Sequence, residues 1–141
     1  MAQRAQHILV VEDDPAIADL IVWVLADAGF TVYSAPTVSR ALALYERIKP
    51  DVVVADLMLP DGMGSHLLQQ LQQPENQPSA ATLVMSALPR ARQYAADVQA
   101  DAYLPKPFDL DDLLDIVHRL VARATSHFPP DGEGAAAAST G

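Results

Sequence analysis

The stretch "DVVVADLMLPDGMG" (residues 51–64) carries an unbroken apolar run into a single aspartate, Asp56, and then into a loop of proline, aspartate and glycines. A continuous valine run, with no polar alternation, suits a strand covered on both faces, as in a parallel sheet whose crossover helices lie on either side. The aspartate at its end poses a second problem. A buried, unpaired carboxylate costs several kcal/mol, so the rest of the chain must bring a cation or another partner to it.

Working outward, four more short apolar runs fit strands: "HILVV" (7–11), "TVYSA" (31–35), "ATLVM" (81–85) and "AYL" (102–104). Amphipathic segments lie between them. In 15–28, Ile17, Leu20, Ile21, Val24, Leu25 and Ala28 recur at helical spacing, with Pro15 suited to the first helical position and Gly29 just past the end. A second helix follows Thr37 as N-cap, carries Leu42, Tyr45 and Ile48, and stops before Pro50. A third carries Leu67, Leu68 and Leu71, and a fourth, after Pro89, offers Tyr94, Ala95 and Val98 as its inward residues. The fifth spans 109–123, with Asp109 as N-cap, and Leu110, Leu113, Leu114, Val117, Leu120 and Val121 facing inward. Its acidic start and its Arg119 and Arg123 oppose the helix dipole at both ends.

Strands alternating with helices through short connections predict an α/β doubly wound, five-stranded parallel sheet, because right-handed crossovers place helices on both faces. The expected strand order is the flavodoxin-like 2-1-3-4-5 with five helices. The polar, proline-containing segment 72–80 reads as a longer loop. Residues 1–124 read as one domain, and 125–141, which have little to bury, as a disordered tail or linker.

Composition sets limits on function. The chain has 141 residues, half of them hydrophobic, and no cysteine, so disulfides and thiolate metal sites are excluded. A formal charge of −9 with only two lysines, Lys49 and Lys106, argues against sequence-independent nucleic-acid binding. The apolar start is too short for a signal peptide core or a membrane span, and a cytoplasmic location is the expectation. The 17 residues after position 124 are too few for a DNA-binding domain, so output through protein contact is expected.

In such a sheet ligands sit beyond the carboxyl ends of the strands, and here those ends are acidic. The first strand runs into Glu12, Asp13 and Asp14, and the third into Asp56. Asp14, directly before Pro15, reads as the helix N-cap, which leaves Glu12, Asp13 and Asp56 to converge. Three carboxylates in one cleft repel one another unless some are protonated or a hard cation binds, and oxygen ligands with room for water suit magnesium. Ser86 and Lys106 end later strands on the same side. Acids, hydroxyl and ammonium together fit phosphoryl transfer, in which cations neutralise the moving group and a carboxylate attacks phosphorus.

Four motifs in order, "ILVVEDDP", "DLMLPDGMG", "MSA" and "ADAYLPKPF", resemble the receiver domain of two-component response regulators over about residues 7–123. The resemblance implies a phosphorylation-activated, single-domain regulator that accepts a phosphoryl group from a sensor histidine kinase or histidine phosphotransfer protein. It implies Asp56 as phosphoacceptor and Mg2+ held by Asp13 directly, by Glu12 through water, and by Asp56 and the Met58 backbone carbonyl. Lys106 would pair with the acceptor, Ser86 would bond the phosphoryl oxygen, and Tyr103 would be the aromatic that turns inward when Ser86 moves. The Lys106–Pro107 bond would be cis. The readout surface would be helix 4, strand 5 and helix 5, including Arg90, Arg92 and Tyr103, with no membrane and no direct nucleic-acid contact. The chain departs from the family pattern at Gln99, where a glycine is common, and in its apolar Met58 and Ala87.

Other readings stay open beside it. A receiver-like module that binds partners without phosphorylation would show an incomplete acidic set, whereas here the set is full. An aspartate-nucleophile phosphatase wants a second acid where Met58 stands, and a flavin carrier wants a phosphate loop where "EDDP" would repel one. His7, His66, His118 and His127 are scattered without ligand spacing and read as surface or edge residues.

Overall fold

The computed structural model describes residues 6–59, 62–73 and 80–126. Its elements are β1 (His7–Val11), α1 (Pro15–Asp27), β2 (Thr31–Ala35), α2 (Val38–Ile48), β3 (Val52–Asp56), β4 (Met58–Leu59), β5 (Gly62–Met63), α3 (Gly64–Leu71), β6 (Ala81–Ser86), α4 (Ala91–Asp97), β7 (Ala102–Pro105) and α5 (Leu110–Ser126). Five of the strands form one parallel sheet in the order β2-β1-β3-β6-β7, the expected flavodoxin-like arrangement once the small β4–β5 pair is set aside. Most of the 72–80 loop and everything beyond Ser126, including His127, lie outside the described residues.

Strand alternation divides the core in two. Leu9, Val11, Val53, Ala55 and Val84 point to one face, against Ala41 and Tyr45 of α2, Leu67, Leu68 and Leu71 of α3, and Ala91 and Ala95 of α4. Their neighbours Ile8, Val10, Val52, Val54, Leu83 and Met85 point to the other, against Ile21 and Leu25 of α1 and Leu113, Val117 and Leu120 of α5. The central strands are thus mainly continuous apolar runs, because each face buries alternate residues, with the polar exceptions Thr82, Ser86 and Asp56 near strand ends.

The helix ends follow local chemistry. Asp14 Oδ1 accepts from the Ala16 and Ile17 amides, and Thr37 Oγ1 accepts from Arg40, so these two of the three expected N-caps bond as such. Gly29 follows α1 at φ +105°, a left-handed conformation that glycine adopts freely. Lys49 and Gln99 take positive φ of 52° and 57° without that freedom.

Three expectations are corrected. Leu20 of α1 is exposed by 46%, Ala28 is exposed at the C-cap just past that helix, and Tyr94 of α4 is exposed by 38%, so these helices bury fewer residues than their apolar spacing suggests. The fifth helix continues to Ser126 rather than ending at 123, since Ala122 and Ala124 favour helix and no glycine or proline intervenes. The antiparallel pair Met58↔Met63 and Leu59↔Gly62 was not anticipated, because two-residue strands carry no periodic pattern.

Candidate functional site

Sheet register sets the site. β1 and β3 pair Val11 with Ala55, so the next residues, Glu12 just past β1 and Asp56 the last residue of β3, stand side by side at the edge of the sheet. On the other flank β6 and β7 pair Ser86 with Pro105, and Lys106 is the first residue beyond. Four strands therefore release their polar ends at one edge, as expected at a switch point between strands.

Lys106 ties the edge together. Its ammonium donates to Asp56 Oδ2 at 2.7 Å and to Glu12 Oε1 at 2.8 Å, across 50 and 94 residues of sequence. The second oxygens are engaged by backbone: Met58 N–H donates to Asp56 Oδ1 at 3.1 Å, and Asp14 N–H to Glu12 Oε2 at 3.1 Å. Asp56 and Glu12 are buried, whereas Asp13 is exposed at the mouth. Ligand atoms of Glu12, Asp13 and Asp56 all lie within 4.8 Å of one another. The ion that such a set holds best is a small hard cation with oxygen preference.

Burial raises the Glu12 carboxyl above its ordinary range, although the Lys106 ammonium and the Asp14 amide oppose the shift. Burial alone would depress Lys106, but its hydrogen bonds to Asp56 and Glu12 outweigh that and hold the ammonium above its ordinary value. Lys106 is thus firmly protonated. The pairing of Lys106 with Asp56 matches expectation. Its equal approach to Glu12 does not follow from the sequence, because only the β1–β3 register brings Glu12 within reach.

Ser86 is buried at the end of β6. Its hydroxyl accepts from Leu88 N–H at 3.1 Å, and its carbonyl accepts from Lys106 N–H at 3.0 Å. The Lys106–Pro107 bond is cis. Met58 turns its side chain outward, 53% exposed. Tyr103 on β7 is half-buried, and the Arg92 guanidinium of α4 lies 5.5 Å from its ring centroid. That contact joins two residues expected on one surface, but no sequence signal announces it.

Fold and site together define a receiver domain, the signalling module of two-component systems. Residues 8–118 match the response regulator receiver domain, and the chain belongs to that family, whose members partner with histidine kinases or phosphotransfer proteins. It is 36% identical over 119 residues to the DNA-binding dual master transcriptional regulator RpaA of Synechocystis sp., covering 83% of this chain and 49% of that protein. It is 36% identical over 134 residues to the response regulator MprA of Mycolicibacterium vanbaalenii, covering 95% of this chain and 57% of MprA. The chain therefore spans about half the length of these two curated relatives. Among solved structures, the CheY-like receiver domain protein of Methanospirillum hungatei superposes with a TM-score of 0.81 at 26% identity, covering 89% of this chain and all of that one. Among the described residues no helix is long and apolar enough to cross a membrane.

Proposed function

We propose that Asp56 is the phosphoacceptor of a signalling switch that is loaded from a phosphohistidine of a partner kinase or phosphotransfer protein. The observation that carries this reading is the convergence of Asp56, Glu12 and Asp13 on one point, with Lys106 bridging the two buried acids. An Asp56 oxygen attacks phosphorus, an O–P bond forms, the N–P bond of the donor breaks, and the departing imidazole recovers a proton from solvent. Lys106 neutralises charge on the transferring group, and its firm protonation suits it to that role. Ser86 turns its hydroxyl from Leu88 to a phosphoryl oxygen, and Tyr103 follows inward.

Glu12, Asp13, Asp56 and the Met58 carbonyl would hold Mg2+, which when bound supplies charge neutralisation at phosphorus. The oxygen-only donor set fits that ion. The chain's own carboxylate is the group modified, so we read it as a signalling module, not a turnover enzyme. We take the receiver unit as residues 1–124 with the last two residues of α5 beyond it, a cytoplasmic location, and output by protein contact through α4, β7 and α5. Moving a population from 1:99 to 99:1 needs about 5.5 kcal/mol, which a few charge-assisted hydrogen bonds supply.

The test is incubation with Mg2+ and phosphoramidate, followed by intact mass. The parent chain should gain one phosphoryl group and Asp56→Asn none. No gain by the parent, with donor and metal verified, would favour an interaction module that works without phosphorylation.

A further inference from the structure

Tyr103 stands on β7, which is an edge strand of the sheet among the described residues. Toward the core it packs against the layer beneath α2, α3 and α4. Toward α5 it borders a groove of about 350 Å³ shared with Ile116, Arg119 and Leu120. On the α4 side the Arg92 guanidinium caps the ring at 5.5 Å. A guanidinium over an aromatic face is attracted by the ring quadrupole, so leaving this position costs the ring that attraction.

Arg92 is also tied to the acidic site through the backbone that precedes it. Leu88 N–H donates to Ser86 Oγ at 3.1 Å, and Leu88 carbonyl accepts from Ala91 N–H at 3.1 Å, the first residue of α4. Arg92 comes next. If the Ser86 hydroxyl turns toward a phosphoryl group on Asp56, the Leu88 bond is given up and the loop that holds the start of α4 is released. The Arg92–Tyr103 contact sits at the end of that chain of bonds. Lys106 N–H, three residues from Tyr103, returns to Ser86 carbonyl and closes the loop from the other strand.

We propose that Arg92 is a latch: seated over Tyr103, it holds the domain in its unphosphorylated conformation and sets how readily the site switches. This rests on the reading of Asp56 as phosphoacceptor and of Tyr103 as the moving aromatic. Arg92 is a positioning residue, exposed on α4 and outside the contacts that join Glu12, Asp13, Asp56 and Lys106, so its removal leaves the phosphoacceptor chemistry intact. A ligand that favours the switched state binds more tightly once the latch is gone, by the strength of the lost contact.

The test is calorimetric titration with beryllium fluoride and Mg2+, in which the beryllium trifluoride anion stands for the phosphoryl group. Arg92→Gln should bind about two- to five-fold more tightly than the parent, the range expected of an exposed cation–π contact. Arg92→Lys, which keeps the cation, should stay within about twofold of the parent. The Arg92→Gln effect should persist with Tyr103→Phe, which keeps the ring, and vanish with Tyr103→Leu. Unchanged or weaker binding by Arg92→Gln overturns the latch, as does tightening that survives Tyr103→Leu. Failure of the parent to bind, or equal binding by Asp56→Asn, overturns the phosphoacceptor reading and the latch with it.

Discussion

Lys106 donates to Asp56 Oδ2 at 2.7 Å, and the same ammonium holds Glu12 Oε1 at 2.8 Å. One cation thus balances two buried carboxylates. Removing it leaves both buried acids without a counter-charge. Lys106→Met should therefore lower stability in chelator-containing buffer by about 3–5 kcal/mol at pH 7, read from urea unfolding. The sign with pH follows from Glu12, whose folded pKa is raised. A group of that kind favours folding below its unfolded pKa, near 4.5, and that contribution is lost as pH rises through the folded value. Without Lys106 the shift grows, so the deficit of the variant should shrink from pH 7 toward pH 5. A deficit that is constant over that range would mean Glu12 is not the group left unbalanced.

Tyr45 gives the opposite end of the pH scale. Its hydroxyl oxygen accepts from Ala80 N–H at 3.1 Å, and burial raises its pKa although that amide opposes the shift. The raised value means stability that is complete below the unfolded pKa, near 10, and is lost as pH climbs through the folded one. Tyr45→Phe should cost about 1 kcal/mol at pH 7 for the orphaned amide. The gap between parent and variant should narrow above pH 10. A gap that widens there would contradict the assignment.

The strands were legible because two-face burial makes each one a continuous apolar run, with Ile8 and Val10 serving one core and Leu9 and Val11 the other. The acids and Lys106 were legible because they stand at the ends of those runs. Helix faces were less so: spacing alone does not say that Leu20 and Tyr94 lie on the solvent side, since apolar residues can ride a helix on either face. The contacts of Glu12 with Lys106 and of Arg92 with Tyr103 depend on register and on packing between distant elements, which no local pattern encodes.

Gln99 was the one turn residue that departed from the family pattern, and it carries φ +57°. An L-residue there suffers a steric cost of about 1–2 kcal/mol, while glycine adds about 0.5–1 kcal/mol of unfolded-state entropy. Gln99 is exposed, so its side chain gives up no burial. Gln99→Gly should raise stability by about 0.5–1 kcal/mol, seen as a higher urea midpoint at unchanged slope. A lower midpoint would show that Gln99 contributes a contact that outweighs its strain.

Asp101 and Thr82 bracket the start of β6 against β7. Asp101 Oδ2 accepts from Thr82 N–H at 2.8 Å and from Thr82 Oγ1 at 3.3 Å, and Asp101 N–H returns to Thr82 Oγ1 at 3.1 Å. Thr82 is buried, so Asp101→Ala leaves its amide without that acceptor and should cost about 1–3 kcal/mol. The Arg123 contact at 3.5 Å is largely exposed and adds little. Arg123→Ala should therefore change stability by less than about 0.5 kcal/mol, and a comparable loss in both variants would relocate the effect to the ion pair.

Asp13 is the exposed member of the acid cluster, and the single lysine leaves the three carboxylates with an excess of negative charge. Without a metal, Asp13→Asn relieves like-charge repulsion and should raise stability by up to about 1 kcal/mol. With Mg2+ the order should reverse, because an ion that binds only the folded parent stabilises it by about 1.4 kcal/mol at ten times its dissociation constant. Urea midpoints of parent and variant, in chelator and in Mg2+, therefore cross. Parallel shifts on adding Mg2+ would show that the ion acts elsewhere on this acidic chain, and no shift in the parent would remove the cation from the site.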